Sequence, residues 1–166
     1  MSDRTMKNVD NMDDNALALL ARARAWCAAA EQCSSAASDR LRTWGADADV
    51  AADIVARLVD EGYIDDDRYA RAYCESKMLR AGWGRLKVLH QLRLKHLPHE
   101  AITKAIAAVD DEVYMALLEE TARKKAQSLN TTDPATLRHK VTAFLTQRGY
   151  TLDEINETLT NIKQKL

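Results

Sequence analysis

Four histidines (His90, His96, His99 and His139), three cysteines (Cys27, Cys33 and Cys74) and the run Asp65-Asp66-Asp67 are the side chains best suited to metal binding or acid–base work. Only His96 and His99 are close in sequence and no cysteine stands at partner spacing, whereas a closed zinc site wants four ligands. Oxygen donors suit magnesium, which makes the three aspartates a formal cation site. Placed just before a helix, they are better explained as a cap favoured by the positive end of the helix dipole. No serine lies in a nucleophile-elbow context, and Gly82-Trp83-Gly84 lacks the preceding strand and the rest of a phosphate-loop pattern. An odd number of cysteines without CxxC spacing reads as small apolar core residues. The residues therefore predict a binding protein, with no catalytic site, metal or cofactor.

The cations carry more information. A net charge of −1 hides strong segregation along the chain. Between positions 47 and 67, eight acidic residues face the single basic Arg57; between 68 and 96, eight lysines and arginines face only Glu75. On the helix predicted from Arg85 to His96, Lys87, Gln91 and Lys95 recur every fourth residue on one face, opposite Leu86 and Leu89. A shift of 53 residues maps Arg85, Lys87 and Lys95 onto Arg138, Lys140 and Arg148. The matching positions earlier in the chain are Ser34, Ala36 and Trp44, so the charges are not a demand of the fold. Such a surface suits a phosphate backbone or an acidic protein. The candidate partner-binding set is Arg68, Arg71, Lys77, Arg80, Trp83, Arg85, Lys87, Gln91, Lys95, Arg138, Lys140 and Arg148.

Trp83, between two glycines, either stacks on a base or protein partner or folds back over a junction between segments, and the sequence leaves both open. Tyr69 and Tyr73, one turn apart, are expected to pack in their bundle, and Arg93 to pair with a carboxylate.

The elements that must position these residues are helices. Ala, Leu, Arg, Lys, Asp and Glu dominate, while five glycines and two prolines leave few sharp turns. Helix signals begin at about Asp14. Ser34 or Ser35, Asp47, Asp65 or Asp66, and Asp110 are candidate caps. Pro98 suits a first helical position, Thr131-Thr132-Asp133-Pro134 repeats the cap-then-proline device, and Thr151 with Glu154 forms a capping box. Gly45 and Gly62 are natural stops, and Gly82-Trp83-Gly84 a break.

Sliding the sequence on itself by 51 and then 53 residues aligns three segments without a gap. Leu41, Leu92 and Leu145 coincide, followed by Gly45, His96 and Gly149, then Ala51, Ile102 and Ile155, Val55, Ile106 and Leu159, and finally Leu58, Val109 and Ile162. The predicted fold is all-α: a disordered tail over residues 1–14, then three tandem three-helix repeats over 15–64, 65–110 and 111–166. Stacked, the repeats would form an elongated body able to curve. No apolar run approaches the length of a membrane span and no signal-peptide core opens the chain, so a cytoplasmic monomer is expected.

The run from Gly62 to Tyr73, Gly-Tyr-Ile-Asp-Asp-Asp-Arg-Tyr-Ala-Arg-Ala-Tyr, resembles the glycine, apolar pair, aspartates, basic residue and spaced aromatics of the RecX family. Gly82-Trp83-Gly84 followed by the basic helix, the triple repeat, and Phe144-Leu145-x-x-Arg148-Gly149-Tyr150 are similar to it as well. The resemblance covers roughly Ala16 to Ile162. It implies a regulator of the RecA recombinase that lies in the groove of the RecA filament on single-stranded DNA. Such a regulator limits filament growth and suppresses strand exchange and co-protease activity. Two departures fall in the first repeat: Ala36-Ala37 replaces an acidic residue followed by leucine, and Ala51 a larger aliphatic. Both predict that the first repeat packs more loosely or uses a different face.

Two other classes remain in view. A helix-turn-helix transcription factor would expose Arg, Asn or Gln to base edges and show sequence preference. A protein-only adaptor would bind a partner with little salt-sensitive affinity for bare DNA.

Overall fold

The computed structural model describes residues 12–164, and among them the regular elements are helices throughout. These are α1 (Asp14–Ala29), α2 (Ser34–Thr43), α3 (Ala48–Asp60) and α4 (Asp66–Cys74), which continues as a π-helical turn over Glu75–Arg80. Then follow α5 (Arg85–Leu94), α6 (His99–Ala107), α7 (Asp111–Ser128), α8 (Pro134–Gln147) and α9 (Leu152–Gln164). Residues 1–11, most of the expected tail, lie outside the described residues; Met12 packs on the core and Asp13 caps α1.

The caps explain where most helices start. Asp13, Asp47, Asp110 and Asp133 each accept a hydrogen bond from the backbone N–H three residues on, satisfying a donor that the first turn would leave unpaired. Asp65 does the same for Arg68. Thr151 and Glu154 bond reciprocally as a capping box, at 2.9 and 3.2 Å. Two starts differ from expectation. Helix α2 opens after Cys33 with no cap of its own, and its Ser34 N–H instead donates to Asp66 Oδ1 at 2.9 Å. Pro98 stands just before α6, in an extended conformation, rather than inside it.

The aligned positions share structure as well as residue type. Gly45, His96 and Gly149 all take positive φ, at 99°, 57° and 94°. Leu41, Leu92 and Leu145 are buried, as are Ala51, Ile102 and Ile155. Ile54, Ala105 and Thr158, related by the same offsets, are also buried; the hydroxyl of Thr158 hides the third of these from a reading based on hydropathy.

The chain divides into two compact units. The first runs to Tyr69 and adds Lys95–Leu97; the second takes Ala70–Leu94 and residues from Pro98 on. In the first, α1, α2 and α3 enclose a core that includes Leu20, Ala37, Leu41, Ala51, Ile54 and Leu58. Trp26 and Trp44 pack against this cluster edge to face, 6.2 Å apart, beneath Arg40 and Arg22 respectively. Ala37 and Ala51 are each 1% exposed within that cluster, and the two indoles add their bulk at its edge.

At the surface of this unit Glu61 accepts from Arg24 Nη2 at 2.6 Å and from Arg57. The Arg24 hydrogen bond, with Arg57 adding to it, holds the Glu61 carboxyl down at about 2. A carboxylate with a lowered folded-state pKa stabilises above its ordinary range, and this contribution is lost as pH falls through the folded value. Glu61→Gln should therefore flatten the acid limb of the first unit's unfolding curve between pH of about 4.5 and about 2. Thermal melts across that window would show it, and parallel acid limbs in variant and wild type would refute it.

In the second unit α7, α8 and α9 pack on one another around Tyr114, Leu118, Val141, Leu145, Tyr150 and Ile155. Helix α5 packs on α6 and on the π-helical turn. Its buried face carries Val88 and Leu92, whereas Leu86 is 51% exposed. Leu86 and Leu89, set by the sequence opposite the Lys87, Gln91 and Lys95 face, are exposed and half-buried respectively, and both line a shallow groove with Ile106 and Ala107 of α6. The rotation of α5 is fixed at its N-terminus. The Gly84 N–H donates to Arg148 O at 2.8 Å and the Leu86 N–H to Gly149 O at 3.0 Å, so the turn after α8 caps α5. A Cβ on Gly84 would overlap the backbone of Gly149 and Tyr150, and one on Gly149 would overlap Lys87.

A candidate cationic interface

Nine of the twelve candidate residues fall into four settings, and Arg71, Arg138 and Lys140 stand outside them. Arg68 and Lys95 belong to the first unit. Arg68 pairs with Glu31 at 2.7 Å and donates to the Gly62 and Tyr63 carbonyls. Lys95 lies 6.0 Å from the Tyr69 ring, and its carbonyl accepts the Ser35 hydroxyl.

Arg85 is held in an internal network. Its guanidinium bonds Asp111 at 2.5 Å and Glu154 at 3.0 Å and lies 4.1 Å over the Tyr114 ring. The Tyr114 hydroxyl accepts from Arg85 N–H at 3.1 Å and donates to Glu154 at 3.2 Å. Burial pushes the Tyr114 phenol far above its ordinary range and that of Tyr150 up to about 12. Both stay neutral, so the network holds two carboxylates and one fixed cation.

Lys77, Trp83 and Lys87 come together. The π-helical turn carries one extra residue, closing with Ala81 N–H on Ser76 O at 3.1 Å, and then lets the Trp83 N–H reach Lys77 O at 2.9 Å. Trp83 is half-buried, its ring 6.5 Å from Tyr73, with Lys77 Nζ at 4.8 Å and Lys87 Nζ at 4.2 Å. Cations at those distances are favourable partners for an indole. Gln91 is half-buried on the next turn, while Arg71, Arg93, Arg138 and Lys140 are exposed. Arg138 donates to Asn156 Oδ1.

Arg80 and Arg148 line an open cup of about 410 Å³ with two lysines outside the candidate set, Lys124 and Lys125 of α7. Arg148 is fixed there by donating to Ala81 O at 2.8 Å and to Gly82 O at 3.3 Å. Lys125 lies 4.8 Å and Arg148 5.0 Å from the Phe144 ring centroid. Leu79, Leu117 and Phe144, all half-buried, supply apolar lining, and Glu120, paired with Lys124 at 2.6 Å, is its one carboxylate. Lys124 and Lys125 end a short basic run that begins at Arg123 in an otherwise mixed helix, and only the fold sets them across from Arg80 and Arg148.

Among the described residues no three His, Cys, Asp or Glu side chains converge as a metal-binding group, and no helix is long and apolar enough to cross a membrane. Asp65 and Asp66 are engaged as caps, the latter across to α2.

Tandem three-helix units, without strands among the described residues and with cations concentrated on the second and third repeats, define the class as all-helical repeat proteins. The sequence matches the second three-helix domain of RecX over residues 65–106 and the third over residues 112–159, together more than half of its length. It is 27% identical over 110 residues to the regulatory protein RecX of Amycolatopsis mediterranei, spanning 66% of this chain and 63% of that relative, under two thirds of its length. Over 127 residues it is 27% identical to the regulatory protein RecX of Mycolicibacterium vanbaalenii, covering 70% and 69%. The crystal structure of RecX from Lactobacillus salivarius superposes with a TM-score of 0.84 at 18% identity, covering 92% of this chain and 99% of that one, and so shares the fold. This chain belongs to the RecX family of regulatory proteins.

Proposed function

We propose that the protein binds the RecA filament on single-stranded DNA, in the filament groove, and inhibits its ATPase, strand-exchange and co-protease activities. The reading rests above all on the match of two consecutive three-helix segments to RecX domains. The concentration of cations on those same segments supports it, because both a DNA backbone and an acidic protein groove attract such a surface. On this reading the protein acts without chemistry of its own, as a cytoplasmic monomer, and single-stranded DNA is a further contact.

The test is RecA's DNA-dependent ATPase on single-stranded DNA, titrated with the protein at substoichiometric and stoichiometric ratios. Inhibition at low ratios is the expected result. Full ATPase activity in the presence of protein shown to be helical by circular dichroism would overturn the reading and favour a helix-turn-helix DNA-binding protein.

A further inference from the structure

The cup between the π-helical turn, α7 and α8 combines a cationic rim with an apolar lining. Of its four cations, Lys124 is 72% and Arg80 74% exposed in the side chain, and each has only a surface carboxylate as ion-pair partner, Glu120 and Glu75 respectively. Exposed pairs of this kind contribute little to stability, on the order of 0–1 kcal/mol, so both cations remain available to an incoming anion.

The chemistry of the lining separates two kinds of polyanion. The Thr121 hydroxyl already donates to Leu117 O and the Ser128 hydroxyl to Lys125 O, so neither is spare as a donor to a base edge. The Phe144 ring has Lys125 and Arg148 within 5.0 Å of its centroid, which removes it as a stacking platform for a base. A phosphodiester backbone would satisfy the rim and leave Leu79 and Leu117 facing polar atoms. A protein segment with carboxylates flanking a bulky apolar side chain would satisfy both. The chain already displays half of that contact, in the Glu120 carboxylate seated 2.6 Å from Lys124 Nζ.

We propose that this cup is a docking site for an acidic segment of a protein partner. The segment's carboxylates meet Arg80, Lys124, Lys125 and Arg148, and its apolar anchor rests on Leu79 and Leu117. The inference depends on the filament reading only for the identity of the partner.

The variant that tests it is R80E/K124E, which alters exposed side chains and leaves Arg148 and Phe144 in place. Wild type and variant are titrated with three probes: RecA filaments on oligo(dT), free oligo(dT), and a short synthetic peptide of glutamates with interspersed leucines, compared with its leucine-to-serine counterpart. The expected result is a loss of about tenfold or more for filament and leucine peptide in the variant, free oligo(dT) affinity unchanged, and weak binding of the serine peptide throughout. Loss of oligo(dT) affinity in step with the filament would make the cup a phosphate site and overturn the proposal. So would wild-type affinity of the variant for filament and peptide, which leaves the filament reading standing, or failure of the wild type to bind the leucine peptide. Cup-dependent peptide binding by a wild type that ignores filaments would support the cup and sink the filament reading.

Discussion

Gly84→Ala should unfold the second unit at a temperature lower by roughly 10 °C or more, since about 1 kcal/mol is worth some 4–8 °C in a unit of this size. The methyl group would occupy the space of the Gly149 carbonyl and the Tyr150 nitrogen, and these are backbone atoms with no rotamer to yield. Relief requires α5 to retreat from the turn after α8, breaking the bonds from Gly84 and Leu86 to Arg148 and Gly149. Overpacking together with two lost hydrogen bonds amounts to about 3 kcal/mol or more. Gly45→Ala provides the contrast: its added Cβ meets nothing within 4 Å, leaving only the backbone cost of φ 99°, on the order of 1 kcal/mol. Thermal melts followed by circular dichroism rank the two. If Gly84→Ala melts with the wild type, the close approach is not what fixes α5.

The second large effect concerns Arg85. Removing its side chain leaves the Glu154 carboxylate, whose side chain is only 13% exposed, with the Tyr114 hydroxyl and the Thr151 N–H as its remaining donors. An uncompensated and largely buried carboxylate is expensive, so Arg85→Met should lower stability by about 2–4 kcal/mol. A double-mutant cycle with Glu154→Gln, read by urea unfolding, isolates the pair. The expected coupling is about 1.5–3 kcal/mol. A value below about 0.5 kcal/mol would falsify the claim that Arg85 is a structural cation. It would return the residue to the set free to meet a partner.

Much of the fold was legible because its determinants are local. Asp47, Asp110, Asp133 and the Thr151–Glu154 box announce helix starts within four residues, and the repeat offsets bring buried leucines and left-handed turns into register. What escaped the sequence depends on contacts distant along the chain. The cap of α2 comes from Asp66, the orientation of α5 from Gly149, and the second-unit partners of Arg85 from Asp111 and Glu154. Periodicity put Leu86 and Leu89 opposite the cations of α5, but it had no access to the contact with the turn after α8 that sets the rotation of that helix. For the same reason the cationic reading followed α5 and overlooked Lys124 and Lys125, which become neighbours of Arg80 and Arg148 only when α7 folds alongside the π-helical turn.

The three left-handed turns also set how freely the chain can drift. At position 149 glycine is required twice over, by φ 94° and by Lys87 packed where a side chain would stand. At position 45 only the backbone angle restricts the choice, and at 96 a histidine already tolerates φ 57°, inside the region that asparagine and aspartate also enter. Equivalent sites in three copies of one motif therefore admit different substitutions. A lineage diverging from this chain would keep the glycine of the turn after α8 while the residues at the turns after α2 and α5 vary.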